Sequence, residues 1–139
     1  MNPTATKPAT SVLVIDDEPQ IRRLLRVTLE ANGYEVFDAA TGQDGITQAA
    51  QRRPEIILLD LGLPDLEGMG GLKRIREWSR VPVIILSVRD RENDKIAALD
   101  AGADDFVTKP FGSGELRARL RTTLRRSQPQ PATVFPWAK

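Results

Sequence analysis

The sequence predicts a three-layer α/β sandwich, five β-α units built on a parallel sheet. Three observations predict it. Short apolar or alternating runs are separated by stretches with helical spacing, the pattern of a parallel sheet with covering helices. Most of the runs are too apolar to leave a face in water, so they belong to strands buried on both sides. Four of them deliver a charged or hydroxyl residue to their C-terminal end: residues 12–15 into Asp16 and Asp17, 56–59 into Asp60, 83–86 into Ser87, and 106–108 into Lys109. Chemistry in such sheets sits in the crevice beyond those ends. Crossovers between parallel strands are right-handed. With runs two and five edge-like, the order is the flavodoxin-like 2-1-3-4-5.

Residues 1–10 hold Thr, Pro and Ala without periodicity and are expected to be a disordered tail. Residues 12–16 form the first strand. Glu18 and Pro19 suit a helix's first turn. Ile21, Leu24, Leu25, Thr28 and Leu29 repeat as one buried helical face, and Gly33 stands where a C-cap belongs. Residues 35–39 alternate, as an edge strand with one wet face does. Thr41 to Asp44 offer caps for a second helix running to about Arg53, and Pro54 stops it. Residues 56–60 are the third strand. Gly62, Pro64, Gly68, Gly70 and Gly71 make the next loop turn-rich. Leu72, Ile75, Arg76 and Trp78 suggest a third helix ending near Ser79. Residues 83–87 are the fourth strand. A charged stretch, 89–94, leads into a helix with Ile96, Ala97 and Leu99, capped by Gly102. Residues 106–108 are the last strand, and Ser113 to Glu115 precede a helix with Leu116, Leu120 and Leu124. Beyond Ser127, Gln and Pro dominate, as in a linker.

The chain has 139 residues, one domain of ordinary size with room for a core that needs no staples. It contains no cysteine and no histidine. That removes disulfides, thiolate and imidazole metal sites, cysteine nucleophiles and any Ser-His-Asp arrangement. Chemistry must run on carboxylates, hydroxyls, lysine and a hard cation. A net charge of +1 implies no polyanion partner. The first residues lack the apolar core of a signal peptide, and no run is long enough to span a membrane, so a cytoplasmic location without membrane contact is expected.

Taken singly, each strand-end Asp is best read as a helix cap, Ser87 likewise, and Lys109 as a salt-bridge partner. Taken together they converge. Asp16, Asp17 and Asp60 repel one another unless a cation intervenes, and an oxygen-only set suits Mg²⁺ or Mn²⁺. A rigid Asp60 beside such a cation can attack phosphorus and form an acyl phosphate. The Ser87 hydroxyl and Lys109 ammonium can bind the product. Pro110 makes the Lys109–Pro110 bond a candidate cis bond. Phe106 alone is best read as core. The last helix carries Arg117, Arg119, Arg121, Arg125 and Arg126, best read as a solvated basic face, with a nucleic-acid surface or a protein-partner surface as the other readings. No P-loop is present, and residues 68–71 lack the third glycine of a dinucleotide fingerprint. An alternative is a Mg²⁺-dependent aspartyl-phosphate phosphatase, but that chemistry needs an acid two residues past the nucleophile, where Gly62 stands.

VLVIDDE, LLDLGLPD, VPVIILS and AGADDFVTKPF, at their spacing, resemble the receiver domain of bacterial two-component response regulators over about residues 11–127. The resemblance implies a (βα)5 receiver fold and a signalling switch whose only chemistry is self-phosphorylation and slow autodephosphorylation. Asp60 would accept a phosphoryl group from a sensor histidine kinase. Asp16, Asp17, Asp60 and the Gly62 carbonyl would hold Mg²⁺. Ser87 and Lys109 would bind the phosphoryl group, Ser87 and Phe106 would be the switch pair, and Lys109–Pro110 would be cis. A finer resemblance, to the OmpR/PhoB subfamily, implies a homodimer through the fourth helix, fifth strand and fifth helix. Its intersubunit pairs would be Lys95 with Glu115, and Asp104 or Asp105 with Arg119. DLGLPD, REWSRVPVIILS, DKIAALDAGADD and KPFGSGELRARLR look like regulators of high-affinity potassium-transport operons. Such proteins carry a C-terminal winged-helix domain for DNA. Residues 128–139 are expected to be the linker toward it, and DNA binding is not expected of this chain.

Overall fold

The structure, a computed structural model, describes residues 9–66 and 69–127. Its elements alternate: β1 (Ser11–Ile15), α1 (Pro19–Glu30), β2 (Glu35–Ala39), α2 (Gly42–Arg52), β3 (Ile56–Asp60), α3 (Gly70–Arg76), β4 (Val83–Ser87), α4 (Glu92–Asp100), β5 (Asp105–Thr108) and α5 (Ser113–Ser127). All four strand pairings are parallel, in the order β2-β1-β3-β4-β5. This is the predicted fold class. The expected tail and linker lie mostly outside the described residues. Thr10 is an exception, since its carbonyl accepts the Glu35 N–H at 2.9 Å and extends the sheet.

The period of two along each strand sorts the core into two layers. Leu13, Ile15, Ile57, Leu59, Val83 and Ile85 face one side, with Ile46 and Ala49 of α2, Leu72 and Ile75 of α3, and Ala98 of α4. Val12, Val14, Ile56, Leu58, Ile84 and Leu86 face the other, with Leu25 and Leu29 of α1 and Leu116 and Leu120 of α5. Burial of a Leu or Ile side chain stabilises by roughly 1.5–3 kcal/mol, so β3 and β4, buried at every position, are the most firmly held strands. The site's acid and hydroxyl hang from their ends.

Three helices differ from the sequence expectation. In α1 the buried seam is Leu25 and Leu29, while Leu24 turns outward with Val27 and is half exposed. The stripe against the sheet is narrower than the apolar pattern. In α4 the small Ala98 meets the sheet, and Ile96 and Leu99 are half exposed. Helix α3 ends at Arg76 rather than near Ser79, with Trp78 half exposed. The Arg76 guanidinium gives the physical reason. It donates to the carbonyls of Ser79 and Val81 at 3.2 and 2.7 Å, turning the chain into β4, and to Gly102 at 3.0 and 2.8 Å. Gly102 has φ +109°, and a Cβ there would lie 3.0 Å from Arg76 Nε. Gly33, at φ +88°, closes α1 in the left-handed conformation expected of it.

Candidate functional site

The C-terminal edge of the sheet forms a cleft of about 220 Å³ lined by Asp17, Glu18, Asp60, Gly62, Ser87, Val88, Arg89 and Lys109. Its floor is built by register. Parallel pairing sets Ile15 beside Leu59, Asp60 beside Leu86, and Ser87 beside Thr108. Each functional residue therefore leaves its strand at nearly the same height. Asp16, Asp60 and Ser87 are buried despite their polarity, and such groups require partners.

Those partners are present. Asp16 accepts the Glu18 N–H at 2.9 Å and the Lys109 ammonium at 2.7 Å. Its carbonyl accepts from Arg22 Nη1 at 2.8 Å. Asp60 accepts the Gly62 N–H at 3.0 Å and lies 3.6 Å from Lys109 Nζ. Ser87 Oγ accepts the Arg89 N–H at 2.9 Å, and the Ser87 carbonyl accepts the Lys109 N–H at 2.8 Å. The Lys109–Pro110 bond is cis, as expected. Carboxylate oxygens of Asp16, Asp17 and Asp60 all lie within 4.8 Å of one another.

The electrostatics follow from this crowding. Burial pushes the Asp60 carboxyl above its ordinary value. The Gly62 N–H and Lys109 oppose that, and the Asp16 and Asp17 charges reinforce it. For Lys109, burial is the largest influence and pulls its pKa down. The Asp16 hydrogen bond and the Asp16, Asp60 and Glu18 charges together outweigh burial, so the net shift is upward. Lys109 is a fixed cation facing a cluster of carboxylates. The cluster fits a hard divalent cation, since its donors are oxygens and the chain holds neither histidine nor cysteine.

Phe106 is buried among the side chains between the sheet and α2–α4. Lys95 Nζ stands 6.0 Å from its ring centroid and pairs with Asp90 at 2.8 Å. Asp90 also accepts from Thr108 Oγ1 at 3.1 Å. The other residues expected at a dimer face pair within the chain too: Arg119 with Asp105 at 3.1 Å and with Glu115 at 3.2 Å, and Asp104 with Arg76 at 3.2 Å. Sequence reasoning missed two residues near the site. Arg22 lies six residues after the Asp16 carbonyl it holds, a separation that hydrophobic periodicity does not flag. Asp65, in the loop after β3, bonds two N–H groups of α2. A carboxylate just past a turn proline was its only signal.

The sequence matches the response regulator receiver domain over residues 12–121. The chain belongs to that family. More particularly, it is similar to the receivers of KdpE regulators. It is 55% identical over 130 residues to the KDP operon transcriptional regulatory protein KdpE of Escherichia coli K12, covering 91% of this chain and 58% of that protein. To the transcriptional regulatory protein KdpE of Mycobacterium tuberculosis (strain CDC 1551 / Oshkosh) it is 54% identical over 118 residues, covering 85% and 52%. The chain thus spans little more than half the length of these relatives. Among solved structures, the receiver domain of Francisella response regulator 1452 superposes with a TM-score of 0.81 at 33% identity, covering 86% of this chain and 99% of that one. The BeF3-activated N-terminal receiver domain of Klebsiella pneumoniae RstA gives 0.79 at 28%, covering 83% and 98%. Among the described residues, no helix is long and apolar enough to cross a membrane.

Proposed function

We propose that Asp60 accepts a phosphoryl group from a phosphohistidine of a sensor kinase, of the KdpD type that the resemblance implies. The observation that carries this is the placement of Asp60: buried at the end of β3, open to the cleft, 3.6 Å from Lys109 and clustered with Asp16 and Asp17. An Asp60 carboxylate oxygen attacks phosphorus in line. The P–N bond of the donor breaks, and its imidazole leaves and takes up a proton. The Lys109 ammonium, already raised in pKa, stays charged and meets the incoming dianion. The Ser87 hydroxyl donates to a phosphoryl oxygen, drawing the loop after β4 inward. Asp16, Asp17, Asp60 and the Gly62 carbonyl would hold Mg²⁺, which supplies charge neutralisation between carboxylates and phosphate when bound.

Phosphorylation biases a two-state equilibrium in the β4–α4 and β5 segments, with Ser87 and Phe106 as the moving pair. The consequence is a homodimer across α4, β5 and α5, in which Lys95, Asp104, Asp105, Glu115 and Arg119 exchange their present partners for those of a second copy. In the whole protein this would govern transcription of potassium-homeostasis genes from the cytoplasm, through a DNA-binding domain outside this sequence. The phosphatase reading has no support at position 62, where glycine offers no acid to protonate a leaving group.

The test is Asp60→Asn exposed to acetyl phosphate with Mg²⁺, read by intact-protein mass spectrometry. Loss of the acyl-phosphate adduct is expected, and an adduct persisting in the variant overturns the assignment. Size-exclusion chromatography with light scattering, with and without beryllofluoride, reads the dimer step.

A further inference from the structure

We propose that Asp65 is a positioning residue for the Mg²⁺ and phosphoryl site, latching the loop after Asp60 onto the first turn of α2. The inference rests on the reading of Asp60 as phospho-acceptor. The Asp65 carboxylate accepts the N–H of Gly42 through one oxygen and that of Gln43 through the other, both at 2.9 Å. These N–H groups belong to the helix end that has no carbonyl of its own to bond. Thr41 Oγ1 serves Asp44 N–H at 3.1 Å, so the local cap and the distant carboxylate divide the first-turn donors. Leu66 continues the latch. A Cβ on Gly42 would lie 2.5 Å from Leu66 Cδ1, so only glycine lets the loop close onto this turn.

At its other end the loop is tied by Asp60 itself, which accepts the Gly62 N–H at 3.0 Å. Between the two ties Leu61 and Leu63 are buried, and Gly62 is exposed in the cleft wall. A short loop fixed at both ends, with its leucines packed beneath it, leaves the Gly62 peptide little freedom. Removing Asp65 unties one end. The Gly62 carbonyl, the one backbone ligand assigned to the cation, then samples positions it must give up on binding. The Gly42 and Gln43 N–H groups also hold the Asp65 carboxyl below its ordinary pKa, so the latch is charged and closed at neutral pH.

Mg²⁺ affinity is measured by calorimetry on the full chain and on Asp65→Ala, Asp65→Asn and Thr41→Ala, and the Gly62 amide resonance is followed in parallel. Losing an outer partner of a metal ligand lowers affinity by roughly 10–100-fold, and a partner acting through a loop falls near about tenfold. Asp65→Ala is expected to show that loss with a shifted Gly62 amide. Asp65→Asn, which keeps one acceptor oxygen, should recover part of both. Thr41→Ala weakens the same helix end without touching the loop and should bind Mg²⁺ as the parent does. Unchanged affinity in Asp65→Ala, or an equal loss in Thr41→Ala, overturns the positioning role. If the parent binds neither Mg²⁺ nor beryllofluoride, the phospho-acceptor reading fails instead. The metal-free Gly62 resonance then still decides whether Asp65 places the loop.

Discussion

Replacing Lys109 by methionine removes the cation from the cluster and keeps most of its volume. At an effective dielectric of about 20, unit charges at 2.7 and 3.6 Å attract by about 6 and about 5 kcal/mol. Burying the ammonium cancels several kcal/mol of that. Removing one partner of a buried pair costs roughly 3–5 kcal/mol, and the open cleft on the Asp17 side favours the lower end, about 3 kcal/mol. With a urea slope of about 2 kcal/mol/M, the unfolding midpoint falls by about 1.5 M. Adding Mg²⁺ at ten times its Kd should return about 1.4 kcal/mol, nearly half of the loss. The pH dependence separates the contributors. The Lys109 pKa is raised on folding, so its stabilisation is complete below the unfolded value and is lost only as pH climbs through the folded one, at strongly alkaline pH. Between pH 5 and 8 the parent's Lys109 contribution is therefore constant. In the variant, Asp60 loses the Lys109 charge that opposes its upward shift, so its carboxyl is protonated more readily on acidification and the gap to the parent should narrow at the acid end. A midpoint equal to the parent's in chelator at pH 7, or a variant that Mg²⁺ leaves no more stable than it is in chelator, refutes the electrostatic account.

Asp60→Asn should stabilise the metal-free protein at neutral pH. The Asp60 pKa is raised on folding, so the parent loses stability as pH rises from the unfolded value, about 3.9, through the folded one. The variant has no such loss, and its advantage should vanish at the acid end of a chelator-treated urea series. An advantage that persists below pH 3 would mean packing, not charge, is responsible. Arg76→Ala should cost at least about 4.5 kcal/mol, since charged-donor hydrogen bonds contribute roughly 1.5–3 kcal/mol each and the Gly102, Ser79 and Val81 carbonyls lose theirs. Those carbonyls lie at the N-terminal edge of the sheet, so Mg²⁺ affinity should stay at the parent value. A calorimetric titration showing weakened Mg²⁺ binding would contradict that separation.

The site was legible in sequence because a parallel strand delivers its terminal residue to a fixed place. Asp16, Asp60, Ser87 and Lys109 needed only the strand ends and the order 2-1-3-4-5 to be brought together. The helices were less legible. An apolar residue on α1 or α4 signals a face, but not how far that face reaches over the sheet, so Leu24, Ile96 and Leu99 point outward where a pattern would place them in. Long-range polar contacts away from the C-terminal strand ends were not legible. Asp65 finds α2 across 23 residues, and Arg76 finds Gly102 across 26. Neither pairing leaves a period or a motif behind it.

Lys95 and Arg119 are already engaged, by Asp90 and by Asp105 and Glu115. In the proposed dimer, a second copy docking through these charges would exchange one ion pair for another. Where each pair broken is replaced by one formed, the exchange is nearly neutral in Coulomb energy and responds little to ionic strength. Leu99, one turn after Lys95, and the adjacent Ile96 are the apolar area available to hold a partner. In that dimer, charge on this face would act as a matching code rather than as an adhesive: a surface that could not complete every exchange would leave a charge stranded and be rejected.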